Sequence, residues 1–120
     1  MAKQTESPVT FNAGEALARY TRVKLGTTGR DVVYADQADS GAYIGSTIFD
    51  VALGDNVAIV LKTSAKTFKG TANGAISDKA AVYAGNDGKI SASVSGNQIG
   101  IAVQAAGADG DIIEYLGTGF

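Results

Sequence analysis

Ser77, Lys79, Lys89, Ser91 and Ser95 are the residues whose types and proximity could form a nucleophile with its base. Lysine acts as a base only when burial lowers its pKa, and Lys79 and Lys89 both flank Asp-containing turns, where a lysine ordinarily stays exposed and charged. The chain has no histidine and no cysteine. That removes the usual partner of a serine nucleophile, the commonest zinc ligand, and every thiolate or disulfide. The densest carboxylate group is Asp109, Asp111 and Glu114. A hard cation takes such oxygens, but Asp-Gly-Asp is also what a hairpin turn uses, and the EF-hand loop pattern is absent. Gly26-Thr27-Thr28-Gly29 spaces its glycines like a phosphate cradle, yet no Gly-Lys-Ser/Thr follows. These residues predict no catalysis, no cofactor and no metal.

The elements that would carry these side chains read as short strands. Thr21 to Leu25 alternates, Arg30 to Ala35 is the next strand, and Tyr43 to Phe49 pairs with Val57 to Lys62 through the connection Val51 to Asn56. Val57-Ala58-Ile59-Val60-Leu61 is continuously apolar, which predicts a strand covered on both faces at the centre of the core. Thr63 to Gly70 carries lysines around Phe68 and reads as an exposed edge strand. Asp87-Gly88 and Asp109-Gly110 can supply the φ > 0 positions of tight turns. Gly14 to Tyr20, and Ser77 to Ala81 capped by Asp78, are the two places where one helical turn could form.

Part of this pattern occurs twice. Val33-Tyr34-Ala35 matches Val82-Tyr83-Ala84, and Ser40-Gly41 through Gly45 matches Ser95-Gly96 through Gly100 at a spacing kept as far as Leu61 and Leu116. Self-similarity of this kind predicts a repeated strand-turn-strand unit, with copies over about 32–61 and 81–116. The fold expected is mainly β: a small antiparallel barrel or sandwich, at most one or two short helices, and an extended N-terminal arm. Residues 1–16 form that arm, and 17–120 a single β domain.

The net charge of -2 does not suggest nucleic acid as a partner. Charge alternates in blocks: five cations against two anions in 1–30, five anions alone in 31–60, five cations against two anions in 61–90, and three anions alone in 91–120. No apolar run approaches the roughly 20 residues a membrane helix needs. The opening Met1-Ala2-Lys3-Gln4-Thr5-Glu6 is too polar for a secretory signal, so a soluble chain made in a cytoplasm is expected. Pro8 favours an extended path through Ser7 to Phe11 and places Val9 and Phe11 on one side of it, as an arm adding to another sheet would need.

The run Gly74-Ala75-Ile76, Ala81-Val82-Tyr83-Ala84, Asp87-Gly88-Lys89-Ile90, Ile99-Gly100-Ile101-Ala102 and Gly110-Asp111-Ile112-Ile113 resembles the small capsid cement, or head decoration, proteins of tailed bacteriophages. The resemblance covers the C-terminal third well and the first copy loosely. It implies a β-rich homotrimer, made in the bacterial host cytoplasm, on the outer face of the virion. There it would bind the major capsid protein after shell expansion and hold neighbouring subunits against the pressure of packaged DNA, without membrane or nucleic-acid contacts. The capsid-contacting residues expected are Lys3, Thr5, Pro8, Val9 and Phe11 of the arm, which lies outside the resembling stretch. A tail-tube or head-completion protein, or a carbohydrate-binding module stacking sugars on Tyr20, Tyr34, Tyr43 and Tyr83, are the alternatives.

Overall fold

Short β-prone runs separated by glycines become ten strands in the computed structural model, which describes residues 9–27, 29–37, 43–62, 67–94, 96 and 98–117. The first five are β1 (Val9–Ala13), β2 (Arg22–Leu25), β3 (Asp31–Tyr34), β4 (Tyr43–Thr47) and β5 (Asn56–Leu61). They close into a barrel in the order β1-β3-β2-β4-β5, with β1 antiparallel to β5 and parallel to β3. The second five are β6 (Thr67–Thr71), β7 (Ala81–Ala84), β8 (Ile90–Ser91), β9 (Gly100–Ala102) and β10 (Ile112–Gly117). They form a curled sheet in the order β6-β10-β9-β7-β8, and one parallel bridge, Ala72 to Ile90, reaches across its open side. The expected mainly-β class is what is observed. Among the described residues there is no α-helix; a 3-10 turn spans Asn86–Gly88, and Gln37 also has 3-10 conformation.

The two lobes share one wiring. Leu17 and Val51 exchange both backbone hydrogen bonds, as Ile76 and Ala106 do. Tyr20 donates its N–H to Thr47 from φ 57°, and Lys79 donates to Ala102 from φ 66°. The Gly54 N–H bonds to the Ala13 carbonyl as that of Gly110 does to Ala72. In this register Val82 answers to Val23 of β2, whereas the sequence match sets Val82 against Val33. From Gly45 and Gly100 as far as Val51 and Ala106 the sequence match and the pairing agree. A one-residue difference in the following connection then sets Leu116 opposite Val60 rather than Leu61.

Gly45 and Gly100 show why that part of the match is legible. A Cβ at Gly45 would collide with the Val60 carbonyl oxygen, and one at Gly100 with that of Leu116, so only glycine lets these strands cross so closely. The hairpin between β7 and β8 has Asp87 at φ 55° and Gly88 at φ 74°, the geometry that Asp-Gly predicts. Neither expected helical turn forms. Leu17, at the centre of the first segment, and Ile76, just ahead of the second, are held by bridges to Val51 and Ala106 instead, and ladder pairing outweighs one isolated turn.

The buried side chains form two cores, one centred on each lobe. In the first lobe Ala13, Leu17, Val23, Val32, Val57 and Ile59 fill the barrel. The second core contains Phe68, Ile76, Val82, Ile90, Ile99 and Tyr115, and it also takes in Ala35 and Tyr43 from the first lobe, with Val60 packed against it. This explains the apolar run in β5. Val57 and Ile59 are buried inside the barrel, while Val60 faces outward onto the second lobe.

Candidate functional site

Arg22 is the residue on which the junction between the lobes is built. It lies in β2 with an exposure of 1%, and its guanidinium reaches into the second lobe. Nε donates to the Lys89 carbonyl at 3.1 Å, and Nη2 donates to the carbonyls of Gly85 at 2.6 Å and Ala35 at 3.1 Å. The guanidinium carbon sits 5.3 Å from the centre of the Tyr43 ring. Gly88 completes the contact: its N–H donates to Ala35, and a Cβ there would press on the Arg22 carbonyl and the Thr21 side chain. Thr71 N–H donates across the junction to Tyr20, and Asp87 N–H to the Asp36 carboxylate.

Two phenols are buried beside Arg22. Burial pushes the Tyr43 hydroxyl well above the ordinary tyrosine value, with Tyr115 adding to the rise and Arg22 opposing it. Burial likewise raises Tyr115, against the pull of Arg22 and of a hydrogen bond with Ser46. Both therefore stay neutral, Tyr115 as a hydrogen-bonding group and Tyr43 as a packing group under the Arg22 guanidinium. The arrangement is a charge-anchored joint.

The other sequence candidates separate in space. Asp109 pairs with Lys89 at 3.2 Å, Asp111 accepts the N–H groups of Gly107 and Ala108, and Glu114 accepts the Thr67 hydroxyl. Among the described residues no group of three acidic side chains is placed to hold a metal ion. Ser91 is buried and its Oγ accepts the Ser93 N–H, while Ser77 and Lys79 are exposed; Ser95 lies outside the described residues. Of the four tyrosines, Tyr43 is buried, Tyr34 accepts the Ala18 N–H, and Tyr83 is half-buried on β7. Tyr20 lines a groove of about 310 Å³ between the lobes with Thr47, Phe49, Val60, Phe68 and Lys69.

Of the arm residues, Lys3, Thr5 and Pro8 lie outside the described residues. Val9 and Phe11 belong to β1, paired with Ile59 and Val57. Phe11 packs against the first core, with the Arg30 guanidinium 4.6 Å from its ring centre. The expected arm over 1–16 therefore needs correction: from Val9 on, the chain is barrel wall, because Val9 to Asn12 find ladder partners in β5. Sequence reading missed Arg22 altogether. An arginine in an alternating strand reads as a solvated face, and Arg22 and Lys24 look alike in the sequence of this strand although only Arg22 is buried.

No family model matches the chain, and no curated protein matches it. Among solved structures, the fold matches the crystal structure of the head fiber gp8.5 N base of bacteriophage phi29. The TM-score is 0.75 over 92% of each chain, at 16% identity, so the likeness is one of fold and spans both lobes.

Proposed function

We propose that this protein is a structural component of a tailed-phage particle, placed on the outer face of the expanded capsid, where it ties adjacent major capsid subunits together. The observation that carries this reading is the likeness to a phage head fiber base across 92% of both chains. The junction supports it from physics. A buried arginine that donates to three backbone carbonyls resists hinge motion between the two lobes, which suits a clamp and serves no turnover.

The mechanism is linkage. A protein that binds the assembled shell and not the free subunits stabilises the shell by mass action. Acting as a trimer, it gains further, since the first contact raises the effective concentration of the other two. The segment ahead of β1, with Lys3, Thr5 and Pro8, meets the shell by strand addition, and Val9 and Phe11 anchor that segment in the barrel.

Deleting residues 1–8 and testing co-sedimentation with expanded shells examines this directly. The truncated chain is expected to stay folded, because its barrel begins at Val9, and to remain in the supernatant. Undiminished sedimentation removes the arm from the mechanism, and a full-length chain that binds no shell removes the proposal.

A further inference from the structure

Because both lobes follow one wiring, each surface of the first has a counterpart on the second. Arg22 of β2 pairs with Ser46 of β4, which pairs with Val60 of β5, making a row across the outside of the first lobe. Ala81 of β7, Ile101 of β9 and Leu116 of β10 occupy the same three places in the second lobe. The first row is covered within the chain: Arg22 bonds to Gly85 and Lys89, Ser46 bonds to Tyr115, and Val60 packs on the second core. The second row is bare, with Ile101 41% and Leu116 47% exposed.

The element that receives Arg22 of the first row has a counterpart as well. It is the Ala84–Gly85 corner that ends β7, where the Gly85 N–H closes onto the Lys89 carbonyl. In the first lobe the Leu25–Gly26 corner ends β2, and the Gly26 N–H closes onto the Asp31 carbonyl in the same way. Ala84 is buried, whereas Leu25 is 54% exposed. The molecule thus contains one such joint already made and both halves of a second left open.

We propose that a second copy of this chain seats its Leu25–Gly26 corner on the Ala81–Ile101–Leu116 row, repeating between chains the joint that Arg22 makes within one. The contact is head-to-tail, so it propagates from copy to copy until it closes on itself. Its chemistry suits association between chains. The internal row buries a cation that needs carbonyls at fixed distances, while the outer row is apolar and gains from desolvation without a charge to satisfy.

This deepens the reading of the protein as a multi-copy clamp, but its test uses no shells and so fails separately from that reading. Sedimentation velocity of the full chain over a concentration series should show reversible association. Leu116→Lys and Leu25→Glu should each weaken it by about tenfold or more, with unchanged melting curves as the check on folding. Ile101→Gln is the second row variant should Leu116→Lys melt early. Mixing Leu116→Lys with Leu25→Glu should restore association, since the new charges meet across the joint. A wild-type chain that stays monomeric throughout, row variants that associate like wild type, or a Leu25→Glu chain without effect would each overturn the proposal.

Discussion

The two lobes are wired alike and closed differently. In the first, β1 meets β3 over two parallel pairs, Asn12 with Asp31 and Ala13 with Val32, and the barrel seals around its own core. In the second, β8 is only two residues long and the corresponding closure is the single bridge from Ala72 to Ile90. The second core also draws on the other lobe: Ala35 and Tyr43 are members of it. One lobe is self-sufficient in its packing, and the other borrows part of its interior from its neighbour. A duplicated pattern can therefore yield one cooperative body rather than two beads, because the weaker copy has no complete core of its own.

Removing the joint should break the comparison most sharply. Arg22→Ala takes a donor from the carbonyls of Gly85, Ala35 and Lys89, of which the last two keep a backbone N–H, and is expected to cost about 3 kcal/mol, with the second lobe losing hydrogen-exchange protection before the first. Equal loss in both lobes would mean that the first lobe depends on the second as much as the reverse. Tyr115→Phe keeps the ring and removes the bond with Ser46, so chemical denaturation should report a loss of about 1 kcal/mol. A change indistinguishable from zero would show that the hydroxyl contributes nothing to coupling the lobes.

Alkaline pH probes the same joint without mutation. Tyr43 and Tyr115 have folded-state pKa values above the unfolded value of 10.0, so the unfolded chain releases these protons first. Stability from this source is complete below that value and falls as pH climbs from it toward the folded-state pKa values. Melting temperature should hold level through neutral pH and drop above about pH 10, with a shallower drop for Tyr43→Phe. The smallest effect belongs to the exposed pair: Lys89→Ala removes a partner from Asp109, whose side chain is 60% exposed, and should cost at most about 0.5 kcal/mol.

Much of the fold was legible where the local backbone demanded a particular residue. Asp87-Gly88 marks its hairpin because both positions take φ > 0, and Gly45 and Gly100 are matched in sequence because any side chain there would strike the facing strand. The register at the start of the repeat was not legible. Val23 and Val82 share a place, but Arg22 and Lys24 flank one and Ala81 and Tyr83 the other, and identical tripeptides elsewhere drew the match to Val33. The arm was over-extended for a related reason. Nothing in Val9 to Ala13 distinguishes a strand that pairs with its own chain from one that pairs with a neighbour, since both need the same alternation.

By itself the amino-acid order determined the class of this protein, its turns and its strand-sized segments, because those depend on backbone conformations that particular residues favour within a few positions. It also removed the histidine and cysteine chemistry that most sites would require. Tertiary structure alone decided that Arg22 is buried, that Val60 belongs to a different core from Ile59, and that Leu116 is exposed where its counterpart is covered. Those facts rest on contacts between residues far apart in the chain. Burial is a property of what lies opposite a side chain, and a one-dimensional pattern does not contain it.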